Sequence, residues 1–207
     1  MAFFYIFCYI LSMPTNRTDF RSRLDKVQSI ISRGCLYHAT WESLWPIDKE
    51  IRVLINFRDF FDPVRGALFE GILYNFERAL SSNTSEDSLP NLLSMAINEP
   101  DNLMPYSKIK DIESMSSQIA QDQRTLENLQ LMRRQHLVHL EALPSEDNSI
   151  RKSDVDNLVY GVKMTFSKLF YSHHWTNPRW SPRPLRSTKL TSALIAFLWD
   201  ELEKRNF

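Results

Sequence analysis

Residues 108–143, "KIKDIESMSSQIAQDQRTLENLQLMRRQHLVHLEAL", contain neither glycine nor proline. A single helix over that stretch would reach on the order of 50 Å, longer than most small domains are wide. Ile109, Ile112, Ile119, Leu126, Leu129, Leu137 and Leu140 recur at helical spacing, which gives the segment one apolar side. "AQDQRT" (120–125) is polar all round, so the pattern predicts either a helix projecting past the body or a break. Pro144 stops the element.

The same period recurs on both sides of this stretch. Upstream, Phe20, Leu24, Val27 and Ile31 form one stripe, with Thr18 as N-cap and Gly34 as an end or bend. Between Asp48 and Leu80 the pattern predicts two pieces, one to about Phe61 and a helix from Pro63 with Leu68, Ile72, Leu73 and Phe76 inward. Ser88 caps a short helix with Leu89, Leu92, Leu93 and Ala96 inward. Downstream, Ser153 and Asp156 read as a capping box. The helix they open, through about His173, buries Val155, Leu158, Val159, Val162, Phe166, Leu169 and Phe170. "TNPRWSPRPLR" is an irregular basic connector, and a final amphipathic helix turns Leu190, Leu194, Phe197, Leu198 and Leu202 inward. Only four glycines stand in 207 residues, and no alternating strand pattern occurs. The expected fold is an all-α bundle of about five to seven helices.

Residues 1–12, "MAFFYIFCYILS", form an apolar extension too short to cross a bilayer as a helix, so no stable membrane insertion is expected. Either translation begins at Met13, or the extension is an arm that packs on a partner or faces a membrane. Residues 13–175 are expected to form the bundle. Residues 176–207 are expected to supply a Pro/Arg connector and a helix packed on the same domain.

Charge and cysteine content exclude several classes of function. Twenty-five basic residues balance 25 acidic ones, so no global field draws the molecule to nucleic acid, and an RNA site would need a local basic patch. Cys8 and Cys35 provide no disulfide framework and fit a reducing, cytoplasmic setting. No Cys/His cluster has zinc-site spacing, and no glycine-rich phosphate loop supports ATP chemistry, so no cofactor is expected.

Within the long helix, "LMRRQHLVHL" (131–140) concentrates the chemistry-bearing side chains. Arg134 and His139 are five residues apart, which on a regular helix turns them about 140° away from each other. A site built from both needs a loosened last turn or a second copy of the motif. The bland alternative is a solvated face whose cations suit the helix C-terminus. His136 and His139, at i and i+3, share a face, but no third ligand is evident and no metal is expected. The arginines of the connector, interleaved with Trp175 and Trp180 after "HHW" (173–175), form a second candidate surface for RNA. The competing reading is a loop pinned to the body by its tryptophans.

"MRRQHLVHLEAL" at the end of a long amphipathic helix resembles the Arg-x-x-x-x-His signature of the HEPN superfamily. More narrowly, it is similar to the AbiU-type abortive-infection family. The block "DFFDPVRGALFEGILYNFERAL" followed by "DSLPNLLSMAI" resembles the middle of that family, and the likeness spans about residues 20–172. The resemblance implies a HEPN-like bundle that forms a homodimer and pairs two motifs across one cleft. It also implies metal-independent cleavage of RNA in a phage-defence or toxin role, in some cases held in check by an antitoxin protein. DNA is not an expected substrate. Arg134 would clamp phosphate and His139 would transfer protons, with Arg133, Gln135, His136 and Glu141 in support. Gln135 departs from the Asn, Asp or His usual after the motif arginine, and Glu141 takes the place of the usual acid two positions past the histidine. The second class of function is a non-catalytic helical module that dimerises and binds RNA or a protein.

Overall fold

A computed structural model describes residues 15–45, 51–138, 151–180 and 183–205. Among the described residues there are eight helices and no strand. They are α1 (Thr15–Glu42), α2 (Ile51–Asn56), α3 (Arg58–Leu80), α4 (Leu89–Asn98), α5 (Pro100–Leu103), α6 (Ile109–Val138), α7 (Lys152–His174) and α8 (Arg183–Arg205). The count exceeds the expected five to seven because α2 and α5 have six and four residues, too few to show a period.

Four of these helices make the body. Trp41 of α1 stacks near Phe69 of α3 while Gly34 meets Phe76, so the two run antiparallel. Gln123 of α6 donates to the Leu80 carbonyl of α3, and Arg133 lies against Glu70, again antiparallel. Ser107, just before α6, meets Ser172 of α7, and the carboxylate of Asp122 lies against Gly161. His38 of α1 bonds Asp156 of α7, whereas Phe20 packs on His173. The result is an up-down-up-down bundle in the order α1, α3, α6, α7, closing back on α1.

The apolar stripes read from sequence account for the core. Phe20, Leu24, Val27, Ile31, Ile72, Leu73, Phe76, Leu126, Leu129, Val155, Leu158, Val162, Phe166 and Leu169 are all buried in one cluster. Each large side chain contributes about 1.5–3 kcal/mol by leaving water. Leu137 and Leu140 lie outside the described side chains. A second, smaller cluster joins Leu44, Val53 and Phe61 to Ile195 of α8.

Several expectations are corrected. α1 begins at Thr15, before Thr18, and runs straight through Gly34; a Cβ there would sit 2.9 Å from the Phe76 ring, so the glycine serves close packing. α3 starts at Arg58 and contains Pro63, because the turn ahead of the proline buries Phe61 in the second cluster and Asp62 pairs with Arg58 and Arg65. α6 neither breaks nor projects at residues 120–125, since Asp122 faces α7 and Gln123 reaches the end of α3. Ser153 does not cap α7, whose N-cap is Arg151; Asp156 is engaged by His38 and Lys152 instead. On α8 the seated face is Ile195 with Leu198, Trp199 and Leu202, leaving Leu190, Leu194 and Phe197 at 63%, 44% and 59% exposure. Ser187 and Thr188 fix that rotation by bonding to Thr40 and to the Ala39 carbonyl of α1.

Candidate functional site

One end of the bundle gathers the C-termini of α1 and α6 and the N-termini of α3 and α7. Here the motif helix emerges. Among its described side chains Leu126 and Leu129 are the last buried anchors, and Arg133 lies against Glu70 of α3, an ion pair between half-exposed groups. One residue further, about 100° round the axis, Arg134 is exposed and makes no ion pair among the described residues. Leu131, three positions earlier and 54% exposed, shares its outward stripe. The pairing of Arg133 with Glu70 therefore fixes Arg134 towards solvent. The α6 backbone passes through Gln135 and His136, whose side chains lie outside those described. His139 and Glu141 lie outside the described residues altogether.

A charged network stands at the same end and was not legible in the sequence, because its members are about 110 residues apart. His38 Nε2 donates to Asp156 Oδ1 at 2.7 Å, and Lys152 Nζ donates to Asp156 Oδ2 at 2.9 Å and to Glu42 Oε1 at 2.8 Å. Partial burial alone would raise the Asp156 carboxyl, but the bonds from Lys152 and His38 outweigh it and hold the group below its ordinary range. The hydrogen bonds that Lys152 donates to Glu42 and then Asp156 raise its ammonium further, so it stays charged at any physiological pH. Next to this network the Cys35 thiol is pushed up to about 11 by burial, which makes it a poor nucleophile.

The second candidate surface, the basic connector, reads differently once placed. His173 is buried, with Nδ1 donating to the Leu103 carbonyl, and Trp175 caps α7 in the left-handed conformation with its ring against Tyr106. Trp180 packs on Phe166 beneath Lys163, and the Arg179 carbonyl accepts from Gln28. These contacts are those of a loop anchored to the body. Among the described residues no group of three or more His, Cys, Asp or Glu side chains is arranged to hold a metal ion, and no helix is long and apolar enough to cross a membrane. The His136 side chain and the whole of His139 lie outside the described residues.

Compared with known proteins, the chain matches no family model, no curated protein and no solved structure.

Proposed function

We propose that this chain is an RNA-cleaving protein of the HEPN type, in which two copies pair their Arg134 and His139 side chains around one phosphodiester. The observation that carries the reading is the exposed guanidinium of Arg134, without an ion pair among the described residues, on the last turns of the longest described helix of an antiparallel four-helix bundle, beside an Arg133 committed to Glu70. The chemistry follows from the residue types. An imidazole takes the proton from the RNA 2′-hydroxyl, whose oxygen then bonds to phosphorus while the bond to the 5′-oxygen breaks. A second, protonated imidazole delivers a proton to that leaving oxygen, so the products are a 2′,3′-cyclic phosphate and a 5′-hydroxyl. Histidine, with a reference pKa near 6.5, suits both roles around neutrality. The arginine fork spreads donors over the pentavalent phosphate as its charge builds. This route asks for no metal, and it asks for a dimer, because two imidazoles must act on opposite sides of one phosphate.

The test is incubation of the purified full chain with structured RNA in EDTA, beside Arg134→Ala and His139→Ala. Each substitution is expected to reduce cleavage by about 10²–10⁴-fold, the range for a lost proton-transfer group or oxyanion contact, without changing the helical signal. Identical RNA traces for wild type and both variants would reject the enzyme. Retention of RNA binding without cutting would favour the non-catalytic module, for which the uncharged Gln135 already speaks.

A further inference from the structure

Residues 1–12 carry no charged side chain and five aromatic ones, Phe3, Phe4, Tyr5, Phe7 and Tyr9, and take no part in the chemistry above. The first charged side chain of the sequence is Arg17. As a helix the stretch is too short to cross a bilayer, but uncharged Phe and Tyr suit the boundary between headgroups and acyl chains. Composition alone leaves its partner open; the fold narrows it.

The chain enters α1 at Thr15, at the end of the bundle where α7 finishes, since Phe20 packs on His173. That end presents aromatic groups brought together from distant parts of the sequence. Trp175 is 58% exposed and Tyr106 49%, with ring centroids 5.0 Å apart, and Tyr171 lies equally close to Trp175. Trp175 is also the one non-glycine among the described residues with a positive φ, 58°, at a helix cap where glycine would be unstrained. A bulky side chain in that conformation costs stability, and burial does not offset it because most of the ring stays in water.

The charges at this end balance. Segments 15–21 and 99–111 bring Arg17, Arg21, Lys108 and Lys110 together with Asp19, Glu99, Asp101 and Asp111, and 170–176 add only the two histidines. No field here favours an anionic or a cationic partner. Nor can the exposed rings alone cover the N-terminal stretch. Five aromatic side chains present on the order of 1,000 Å² of surface, several times what two half-exposed rings offer.

An uncharged apolar phase large enough to take both is a lipid surface. We infer that this end of the bundle is a membrane-docking face, on which Trp175 and Tyr106 sit at the headgroup boundary beside residues 1–12. The docking is peripheral, with two modest apolar signals acting together, as stable anchoring requires. α6 runs from Ile109 at this end, so Arg134 lies about 38 Å further on at about 1.5 Å per residue. Docked in this way, the chain holds Arg134 clear of the lipid and open to the aqueous side. None of this rests on the ribonuclease reading.

Flotation of the full chain with phosphatidylcholine vesicles, which carry no net charge, tests it, because aggregates sink while bound protein rises. Wild type is expected to float, with an affinity that changes by less than about twofold between low and high salt. Removing residues 1–12, or combining Phe3→Ser, Phe4→Ser and Phe7→Ser, should weaken binding by at least about a hundredfold. Trp175→Asn together with Tyr106→Ser should weaken it by about tenfold, asparagine being tolerant of positive φ. Unchanged helical circular dichroism keeps these effects off the fold. Lipids brominated near the headgroup should quench tryptophan emission of the wild type, whereas Trp175→Tyr should float without quenching. The other tryptophans are out of reach: Trp41, Trp45 and Trp199 stand towards the opposite end, and Trp180 packs on Phe166 about two turns in. Four results would overturn the inference. The first is a wild type that does not float, and the second is flotation unchanged by removal of residues 1–12. The third is flotation indifferent to the paired Trp175 and Tyr106 changes. The fourth is quenching that is absent in wild type or persists in Trp175→Tyr. Vesicles read docking and the RNA assay reads cleavage, so either proposal can fail while the other stands.

Discussion

The two ends of the bundle are built from different interactions. At the end where α7 finishes, polar groups are buried and bonded to backbone: His173 to the Leu103 carbonyl at 2.6 Å, the Tyr106 amide to the Ser172 carbonyl at 3.2 Å, with Met104 and Leu103 sealed beneath. At the end where α6 finishes, the links are ion pairs between half-exposed side chains, Arg133 with Glu70 and Lys152 with Glu42 and Asp156. Buried hydrogen bonds are costly to break because they leave an orphaned group, whereas exposed ion pairs contribute little. One end therefore depends on its buried polar bonds, and the other can lose its exposed ion pairs without unfolding the protein.

Substitutions can break or sharpen this contrast. The largest effect is expected at the closed end. His173→Ala removes a ring packed 5.0 Å from Phe20 and strands the Leu103 carbonyl, for a loss of about 2–4 kcal/mol in chemical denaturation. Burial, first among the causes, keeps His173 below its ordinary 6.5. The unfolded chain takes up that proton near 6.5 while the folded one resists, so stability falls as pH drops through and below this value. The variant should lose that part of the acid limb, and a denaturation profile that keeps it would refute the assignment.

Between the ends, Asp122 should give a smaller effect of opposite sign. Burial raises its carboxyl from 3.8 to about 6, against a weaker lowering by Gln118. A raised acid favours the protonated folded state, so this residue's penalty grows as pH rises from 3.8 and is complete above about 6. Asp122→Asn is expected to stabilise the protein by on the order of 1–2 kcal/mol above that pH, after allowance for solvent screening, and to give no gain near 3.8. Thermal melts at the two extremes decide it; a pH-independent difference would sink the argument.

The smallest effect belongs to the open end. Lys152→Met breaks two ion pairs whose partners are half-exposed, and should cost less than about 1 kcal/mol. A loss as large as that of His173→Ala would erase the distinction between the ends.

The inward faces of α1, α3, α4 and α7 were legible residue by residue, because apolar side chains at a period of 3.6 have one energetically sensible orientation. α8 was not legible. It carries large apolar residues around most of its circumference, so periodicity offers two faces, and the choice falls to Ser187 and Thr188 bonding α1. His38 and Asp156 escaped for a different reason: no local spacing marks a bond between residues 118 apart. Asp122 read as part of a polar gap because its burial depends on Gly161 of a helix met later in the chain. Of the candidate site, the sequence placed Arg134 on the motif helix, but its exposure follows from Arg133 turning to Glu70, which only the packed bundle reveals.

The ring order of the bundle has a consequence for synthesis on the ribosome. α1, the first described helix to be made, finds its neighbours in α3, α7 and α8, so its apolar stripe stays partly uncovered until α7 and α8 have been translated. Nascent chains released early would lack the last wall of the barrel of helices.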